Sequence, residues 1–89
     1  MNWVIKIESV AKDDLKYFRK NSKPLYIKCF DIIQDILDDP TVWIWRPEQL
    51  KHYWENMWSR RIDSEHRAIY NVDPANSSID FLSFKCHYN

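Results

Sequence analysis

The stretch WSRRIDSEHRAIY, residues 58–70, decides how the rest of the chain is interpreted. It contains two short runs of strand-forming residues, 58–62 and 66–72. The polar triplet 63–65, Asp-Ser-Glu, lies between them and has the right length for a hairpin turn. The sequence therefore predicts a β-hairpin, and the other elements are placed relative to it.

The predicted hairpin is rich in arginine. Strands hold side chains at fixed spacing and alternate their faces, so Arg61 and Arg67, one on each arm, can be aimed at a single anion. The plainer interpretation is a salt-bridged surface hairpin, in which the three arginines, Arg60 included, lie opposite Asp63 and Glu65. Surface ion pairs of that kind usually contribute little to stability. The pattern alone leaves both interpretations open.

The N-terminal half predicts one strand and two helices. Residues 3–7 alternate as a strand does, and a helix capped by Ser9 runs to a break at Asn21. A second helix begins near Pro24 and ends at 38–40, where Asp-Asp-Pro disfavours helical backbone. Its apolar residues recur at three- and four-residue spacing, as in a helix packed on a core: Leu25, Tyr26, Cys29, Phe30, Ile33, Ile36 and Leu37.

The C-terminal half predicts strands. Residues 41–45 are apolar and β-branched or aromatic, which fits a short strand or a loop packed on the sheet. Residues 73–78 form a strong turn cluster, and residues 79–88 close the chain as a strand. The order β-α-α-(β)-β-β-β indicates an α+β fold with two N-terminal helices packed on a mainly antiparallel sheet. The other face of the sheet would stay open, lined by polar residues.

Length and composition set further bounds. The 89 residues predict a single domain, 1–89, with one small core. With 45% hydrophobic and 16% aromatic residues, the chain can bury apolar surface and does not belong to the disordered class. It contains no glycine. Turns that need left-handed backbone would therefore use Asn or Asp, with Asn21 and Asn71 as candidates.

Charge and cysteine content narrow the class of function. Basic and acidic residues balance at 13 each, which is a poor basis for binding naked nucleic acid by counterion release. No apolar run approaches the ~20 residues of a membrane span and no signal-peptide pattern opens the chain, so we expect a soluble, cytoplasmic protein. Cys29 and Cys86 are expected to be free thiols, and we expect no metal or other cofactor.

Five residues could together cleave RNA without a metal ion: Glu48, Arg61, Arg67, His87 and Tyr88. When the neighbouring 2′-hydroxyl attacks the phosphodiester, a carboxylate can take its proton and a histidine can protonate the leaving 5′-oxygen. Arginine forks match the phosphoryl oxygens, and an aromatic ring can orient a base. Most small domains contain such residues, so by themselves they also fit a protein without this activity.

Three motifs give this set more weight. PEQLKH (47–52), WSRRIDSEHRAIY (58–70) and the terminal KCHY (85–88) resemble, in order and spacing, the YoeB/Txe group of RelE-superfamily toxins. Residues 1–45 match that group only in element order. The resemblance implies a cytoplasmic bacterial toxin with a microbial-ribonuclease-like fold, which enters the ribosomal A site and cleaves the mRNA there.

The resemblance also assigns roles by position. Glu48 matches the family's general base, His87 its general acid and Arg67 its transition-state arginine. Tyr88 matches the tyrosine that orients the substrate, and Arg61 matches an arginine near the phosphate.

Three further residues, Arg60, Lys51 and His52, are assigned to RNA or phosphate binding, the last two near the ribosome-facing edge. The implied partners are a cognate antitoxin of the YefM/Phd type, the ribosome with mRNA in its A site, operator DNA through the antitoxin complex only, and a second copy of the chain. No membrane partner is implied.

The chain also departs from the family pattern. The glycines usual before the PE and WSRR motifs are replaced by residues 42–45 and 56–57, and Asn89 extends the chain past the usual terminal tyrosine. Two other functions compete with mRNA cleavage. The first is gyrase inhibition as in the ParE branch, against which the Glu48 and His87 pair argues. The second is a non-catalytic module that binds an antitoxin and tunes DNA binding by the complex.

Overall fold

The computed structural model describes residues 3–38, 48–49 and 57–86, and within them two helices pack on a five-stranded mixed sheet. The helices are α1 (Ser9–Asn21) and α2 (Lys23–Asp38), and the strands are β1 (Val4–Ile7), β2 (Glu48–Gln49), β3 (Met57–Arg61), β4 (Arg67–Asp73) and β5 (Ser78–Ser83). A 3₁₀ turn, Pro74–Asn76, joins β4 to β5. The predicted α+β fold is confirmed.

The strand order in the described part of the chain is β1-β5-β4-β3-β2. From β2 to β5 each neighbouring pair is antiparallel, whereas β1 lies parallel to β5. Parallel strands need a crossover connection, and here the chain between β1 and β5 contains both helices and the other strands. The sheet is therefore mainly antiparallel, as predicted.

The predicted hairpin is formed by β3 and β4. Its register places Arg61 directly opposite Arg67. At the turn, the Ile62 N–H donates to the His66 carbonyl at 2.9 Å. The turn between these two residues contains the polar triplet on which the prediction was based.

Alternation along β4 fixes where the core lies. Ala68, Tyr70 and Val72 are buried, whereas Arg67 and Ile69 are partly exposed. The helices cover the face that carries Ala68, Tyr70 and Val72. The opposite side of the sheet is called the far face below. Each fully buried Ile or Phe side chain contributes roughly 1.5–3 kcal/mol, so the following cluster holds the helices against the sheet: Ala11, Phe18, Cys29, Ile32, Ile33, Ile36, Ile62, Ala68, Tyr70, Val72, Ile79, Phe81 and Phe84.

Details of the helices differ from the prediction. Ser9 is the first residue of α1 and does not cap it, because Glu8 holds the N-cap position, and Glu8 makes no side-chain capping bond. In α2, Ile32 is buried, whereas Phe30 is 44% exposed. The apolar stripe is thus rotated toward Ile32 and Ile36, and Phe30 instead meets Tyr26 edge-on at 5.0 Å between ring centroids.

The left-handed turn residue was also predicted wrongly. Asn21 lies in α1 and Asn71 in β4. Among the described residues, Ser77 has positive φ, at 50°. It follows the 3₁₀ turn, where the Asp73 carboxylate accepts a 2.7 Å bond from the Asn76 side-chain amide, so the strained residue stands at the entry to β5.

The predicted strand or loop at 41–45 lies outside the described residues. Cys29 and Cys86 are free thiols, as expected. Burial, with a further contribution from the nearby Asp14 carboxylate, raises the pKa of Cys29 to about 12, so this thiol acts as a small core residue. No helix in the described part of the chain has the length and apolar character needed to cross a membrane.

Candidate functional site

The hairpin turn is organised by Asp63. Its Oδ1 accepts backbone N–H bonds from Glu65 at 2.8 Å and from His66 at 2.6 Å. Burial opposes ionisation, but these two N–H donors outweigh it and hold the pKa of Asp63 below its usual value. The Asp63 carboxylate therefore fixes the turn by satisfying backbone donors, which is a different task from the arginine pairing considered for it.

Arg60 and Arg61 point in opposite directions. Arg60 lies opposite Ala68 on the helix-facing side and is 8% exposed. Its Nη2 is 3.2 Å from Asp35 Oδ2 on α2. The prediction grouped Arg60 with the phosphate-binding residues, but the structure does not bring it to the same face as Arg61 and Arg67. Strand alternation directs Arg60 to a helix carboxylate instead.

Arg61 and Arg67 occupy facing positions on the far face. Directly opposite residues on one face have Cβ atoms about 4.5–5.5 Å apart, and like charges placed there are destabilising. An anion bound between the two guanidinium groups would offset this repulsion. The predicted placement of these two arginines on facing arms of the hairpin is confirmed, and their binding of one anion stays a prediction.

Ser59 connects this pair to β2. Arg67 Nη1 lies 3.4 Å from Ser59 Oγ, a long contact for a hydrogen bond. Ser59 is 2% exposed although it is on the far face, so that face is covered there rather than fully open. In the other direction, Ser59 is the cross-strand partner of Glu48. We call the group formed by Arg61, Arg67, Ser59 and position 48 the arginine patch.

The described chain ends in a short segment, residues 84–86, that is held by α1 and by the hairpin. Asp14, 3% exposed, accepts the N–H groups of Phe84 at 2.9 Å and Lys85 at 3.0 Å on its Oδ2. His66 Nδ1 accepts the Cys86 N–H at 2.8 Å.

Two ring contacts support this arrangement. Lys85 Nζ sits 4.0 Å above the Tyr17 ring centroid, and Phe18 packs edge-on against His66 at 5.0 Å. We call Asp14, Tyr17 and His66 the C-terminal clamp.

The clamp contains residues that sequence reasoning missed. The sequence assigned no role to His66 or Asp14, yet both side chains are buried and accept backbone N–H groups of the C-terminal segment. Their partners lie far along the chain, and no local pattern reveals such contacts. His87, Tyr88, Lys51 and His52 lie outside the described residues, so their predicted roles stay predictions.

Comparison with known proteins agrees with the fold and the motifs. Residues 7–88 match the family model of the YoeB-like toxin of bacterial type II toxin-antitoxin systems. Toxin YoeB of a Synechocystis strain is 37% identical over 75 residues, covering 84% of this chain and 85% of that protein.

Solved structures show the same relation. The YoeB dimer from Staphylococcus aureus superposes with a TM-score of 0.84 at 34% identity, covering 99% of this chain and 100% of that one. The YoeB chain in a heterotetrameric YoeB-YefM complex from the same organism gives 0.82 at the same identity and coverage. This fold and these motifs define a small α+β toxin of the type II toxin-antitoxin class. The chain belongs to the YoeB-like toxin family.

Proposed function

We propose that this toxin is a ribosome-dependent endoribonuclease that cleaves mRNA in the A site by attack of the substrate's own 2′-hydroxyl. The observation that carries the proposal is the arginine patch, in which Arg61 faces Arg67 and the β2–β3 register places Glu48 beside Ser59. A paired guanidinium cluster next to a carboxylate-bearing position suits a phosphodiester whose 2′-hydroxyl must lose a proton.

The proposed reaction balances without an added cofactor. The 2′-oxygen attacks phosphorus as Glu48 takes its proton, and the bond from phosphorus to the 5′-oxygen breaks as His87 supplies a proton to that oxygen. Arg67 and Arg61 bind the phosphoryl oxygens while negative charge builds up on them. Tyr88 orients the substrate. The 5′ fragment then ends in a cyclic phosphate or its hydrolysis product.

Lys51 and His52 complete the proposal as ribosome- or RNA-facing residues. Arg60 is left out of it, because its guanidinium is paired with Asp35 on the helix-facing side. The neutral formal charge of the chain gives little general attraction for RNA, so positioning by the ribosome has to supply the substrate. The bacterial cytoplasm is the compartment where such a substrate is found.

Primer extension on ribosome-bound mRNA with purified toxin tests the function. Discrete A-site cuts are expected in wild-type reactions, and they should persist when free divalent ions are chelated and ribosomes stay intact. A single 2′-deoxy nucleotide 5′ to the scissile phosphate should abolish the cut at that position without preventing A-site binding. Normal cutting of the 2′-deoxy message would mean that water is the nucleophile and would remove the roles given to Glu48 and His87.

A parallel reaction with gyrase and supercoiled DNA covers the ParE-like alternative. Accumulation of cleaved gyrase–DNA complexes, with no cuts in the mRNA, would overturn the proposal. Binding to antitoxin with neither activity would leave only the role of a co-repressor module.

The inhibitor is proposed to be an antitoxin of the YefM/Phd type. The S. aureus relative forms a YoeB-YefM complex, and the arginine patch offers cations to an acidic, initially disordered tail that folds on binding. Hydrogen exchange should show new protection at residues 59–61 and 67–69 on complex formation. Protection confined to α1 and α2 would contradict this placement. Operator DNA would be bound through that complex, and a homodimer is proposed by analogy with the S. aureus toxin dimer.

A further inference from the structure

His66 is a buried histidine that the proposed reaction does not use, and its position in the chain is informative. It directly precedes Arg67, and its hydrogen-bond partner Cys86 directly precedes His87. A 2.8 Å bond from the Cys86 N–H to the His66 ring therefore links the two residues that precede the proposed phosphate-binding arginine and the proposed general acid. This hydrogen bond therefore lies where it can influence the proposed site.

The His66 ring is itself held on several sides. The Asp63 carboxylate accepts the His66 backbone N–H, and the carbonyl of His66 accepts the Ile62 N–H at 2.9 Å. Phe18 of α1 packs edge-on against the imidazole. With backbone and ring both fixed, the direction in which Nδ1 points is determined by the fold.

The chemistry of the bond specifies the form of the histidine. Nδ1 can accept a hydrogen bond only in neutral imidazole with its proton on Nε2. The carboxylate of Glu65 lies 4.0 Å from Nε2, on the side where that proton is carried. The ring thus presents an acceptor to the C-terminal segment and a donor to the turn.

Asp14 fixes the same segment at the two residues that precede Cys86. Its Oδ2 accepts the Phe84 and Lys85 N–H groups, while the Phe84 ring stacks on Phe81 at 5.4 Å. The Asp14 contacts hold the end of the strand in the core. The His66 contact then sets the last described peptide before position 87.

We propose that His66 is a positioning residue, because its Nδ1 fixes the Cys86 peptide, from which the chain continues to the proposed general acid, His87. This rests on the proposed function of the site. In this role His66 acts through the C-terminal segment and not by contact with the substrate. Misplacing a catalytic group by about 1 Å can lower a rate on the order of 10²-fold, so one backbone hydrogen bond is sufficient to matter.

The test compares His66→Leu with His66→Asn. Leucine fills much of the volume and removes the acceptor, whereas the asparagine oxygen can occupy the place of Nδ1 and accept the same N–H. Single-turnover cleavage of ribosome-bound mRNA is measured at several ribosome concentrations, which separates the rate of the cleavage step from half-saturation. Ile36→Val, a core change in α2 that removes no hydrogen bond, controls for a general loss of stability.

We expect His66→Leu to slow the cleavage step roughly 10- to 100-fold with little change in half-saturation, and His66→Asn to recover most of the rate. Amide exchange by NMR should show faster exchange at Cys86 in His66→Leu only, with Phe84 and Lys85 still protected by Asp14. These amide measurements need no ribosome, so they report the bond independently of activity.

Three results would overturn the inference. Wild-type rates in both variants, alongside an inactive His87→Gln, would leave the proposed function standing and remove His66 from it. A change in half-saturation alone would make His66 a ribosome contact. Equal loss in both variants would show that hydrogen-bond acceptance is not what matters. If the wild-type toxin does not cut, the proposed function fails first, and the positioning role fails with it.

Discussion

Arg60 and Arg61 are adjacent in one motif, yet the two faces of the sheet give them different environments. Arg60 is 8% exposed and paired with Asp35, while Arg61 is exposed and faces Arg67. Because β-strands alternate, a pair of neighbouring basic residues cannot serve one surface. On the helix-facing side, Arg60 connects β3 to α2. On the far face, Arg61 adds positive charge opposite Arg67. A basic motif in a strand should therefore be divided by face before a function is assigned to it.

The largest effect is expected from Arg67 on the far face. Arg67→Ala should lower the cleavage rate by about 10²–10³, as removal of one transition-state donor typically does. Arg67→Lys should recover only part of this, because lysine lacks the bidentate fork. Single-turnover cleavage and thermal unfolding are measured on the same preparations. Full activity of Arg67→Lys would show that simple charge is enough.

A substitution of His87 tests whether this residue takes part in the reaction proposed at the arginine patch. His87→Gln should keep the fold and ribosome binding while losing cleavage on the order of 10²-fold or more. Ribosome co-sedimentation and primer extension provide the two measurements. A cleavage rate equal to that of the wild type would remove His87 from the mechanism and confine the chemistry to the arginine patch.

The neighbouring arginines allow a matched pair of substitutions. Arg60→Ala removes an ion pair and the packing of a buried stem, so it should cost roughly 1–2 kcal/mol of stability while cleavage per folded molecule stays near wild type. Arg61→Ala should stay within about 0.5 kcal/mol, or gain slightly from relief of like-charge repulsion, and cleave more slowly. Urea unfolding and cleavage assays on both variants check this. The opposite pattern would mean that the faces have been assigned the wrong way round.

Asp80, at a position facing Lys6 and Asn71, gives the smallest expected effect. Burial, followed by the hydrogen bond and negative charge of Glu8, raises the pKa of Asp80 to about 6 from 3.8. The folded state thus holds a proton that the unfolded chain releases between these values, so stability falls as pH rises through that window.

Asp80→Asn should accordingly gain stability relative to the wild type as pH rises from 4 to 7, the effect being small because the side chain is only partly buried. Thermal unfolding of both proteins across this range provides the comparison. The lowered pKa values of Asp63 and Asp73 affect both proteins alike and cancel in the difference. A difference that does not change with pH would count against a raised pKa of Asp80 in the folded protein.

The structural features that the sequence predicted correctly are those that depend on neighbouring residues. The hairpin, its turn and the facing of Arg61 and Arg67 follow from period-two alternation around a polar triplet, and all of these are local. Alternation also predicts that Arg60 and Arg61 diverge. Trp58 and Ile62, which share a face with Arg60, pack on the core, so the inward direction of Arg60 is local as well. Its partner Asp35 is 25 residues away, and no strand pattern reveals that contact.

The clamp was missed for the same physical reason. Asp14 binds backbone groups 70 and 71 residues further along the chain, and a carboxylate near the start of an amphipathic helix usually faces water. Ser77 was missed because a chain without glycine has several residues able to take a left-handed turn. The exact position is decided by the Asp73–Asn76 contacts that precede it. Family motifs supplied the candidate roles of Glu48 and His87, which composition and spacing alone could not.

The parallel pairing of β1 with β5 has a consequence for synthesis. Val4 pairs with Ser78 and Ile7 with Phe81, so the first strand to leave the ribosome has no sheet neighbour until almost the last one has emerged. A nascent chain can form α1, α2 and the hairpin early, since their contacts are local. The sheet edge that β1 forms with β5 can therefore be completed only after β5 has been made, late in synthesis.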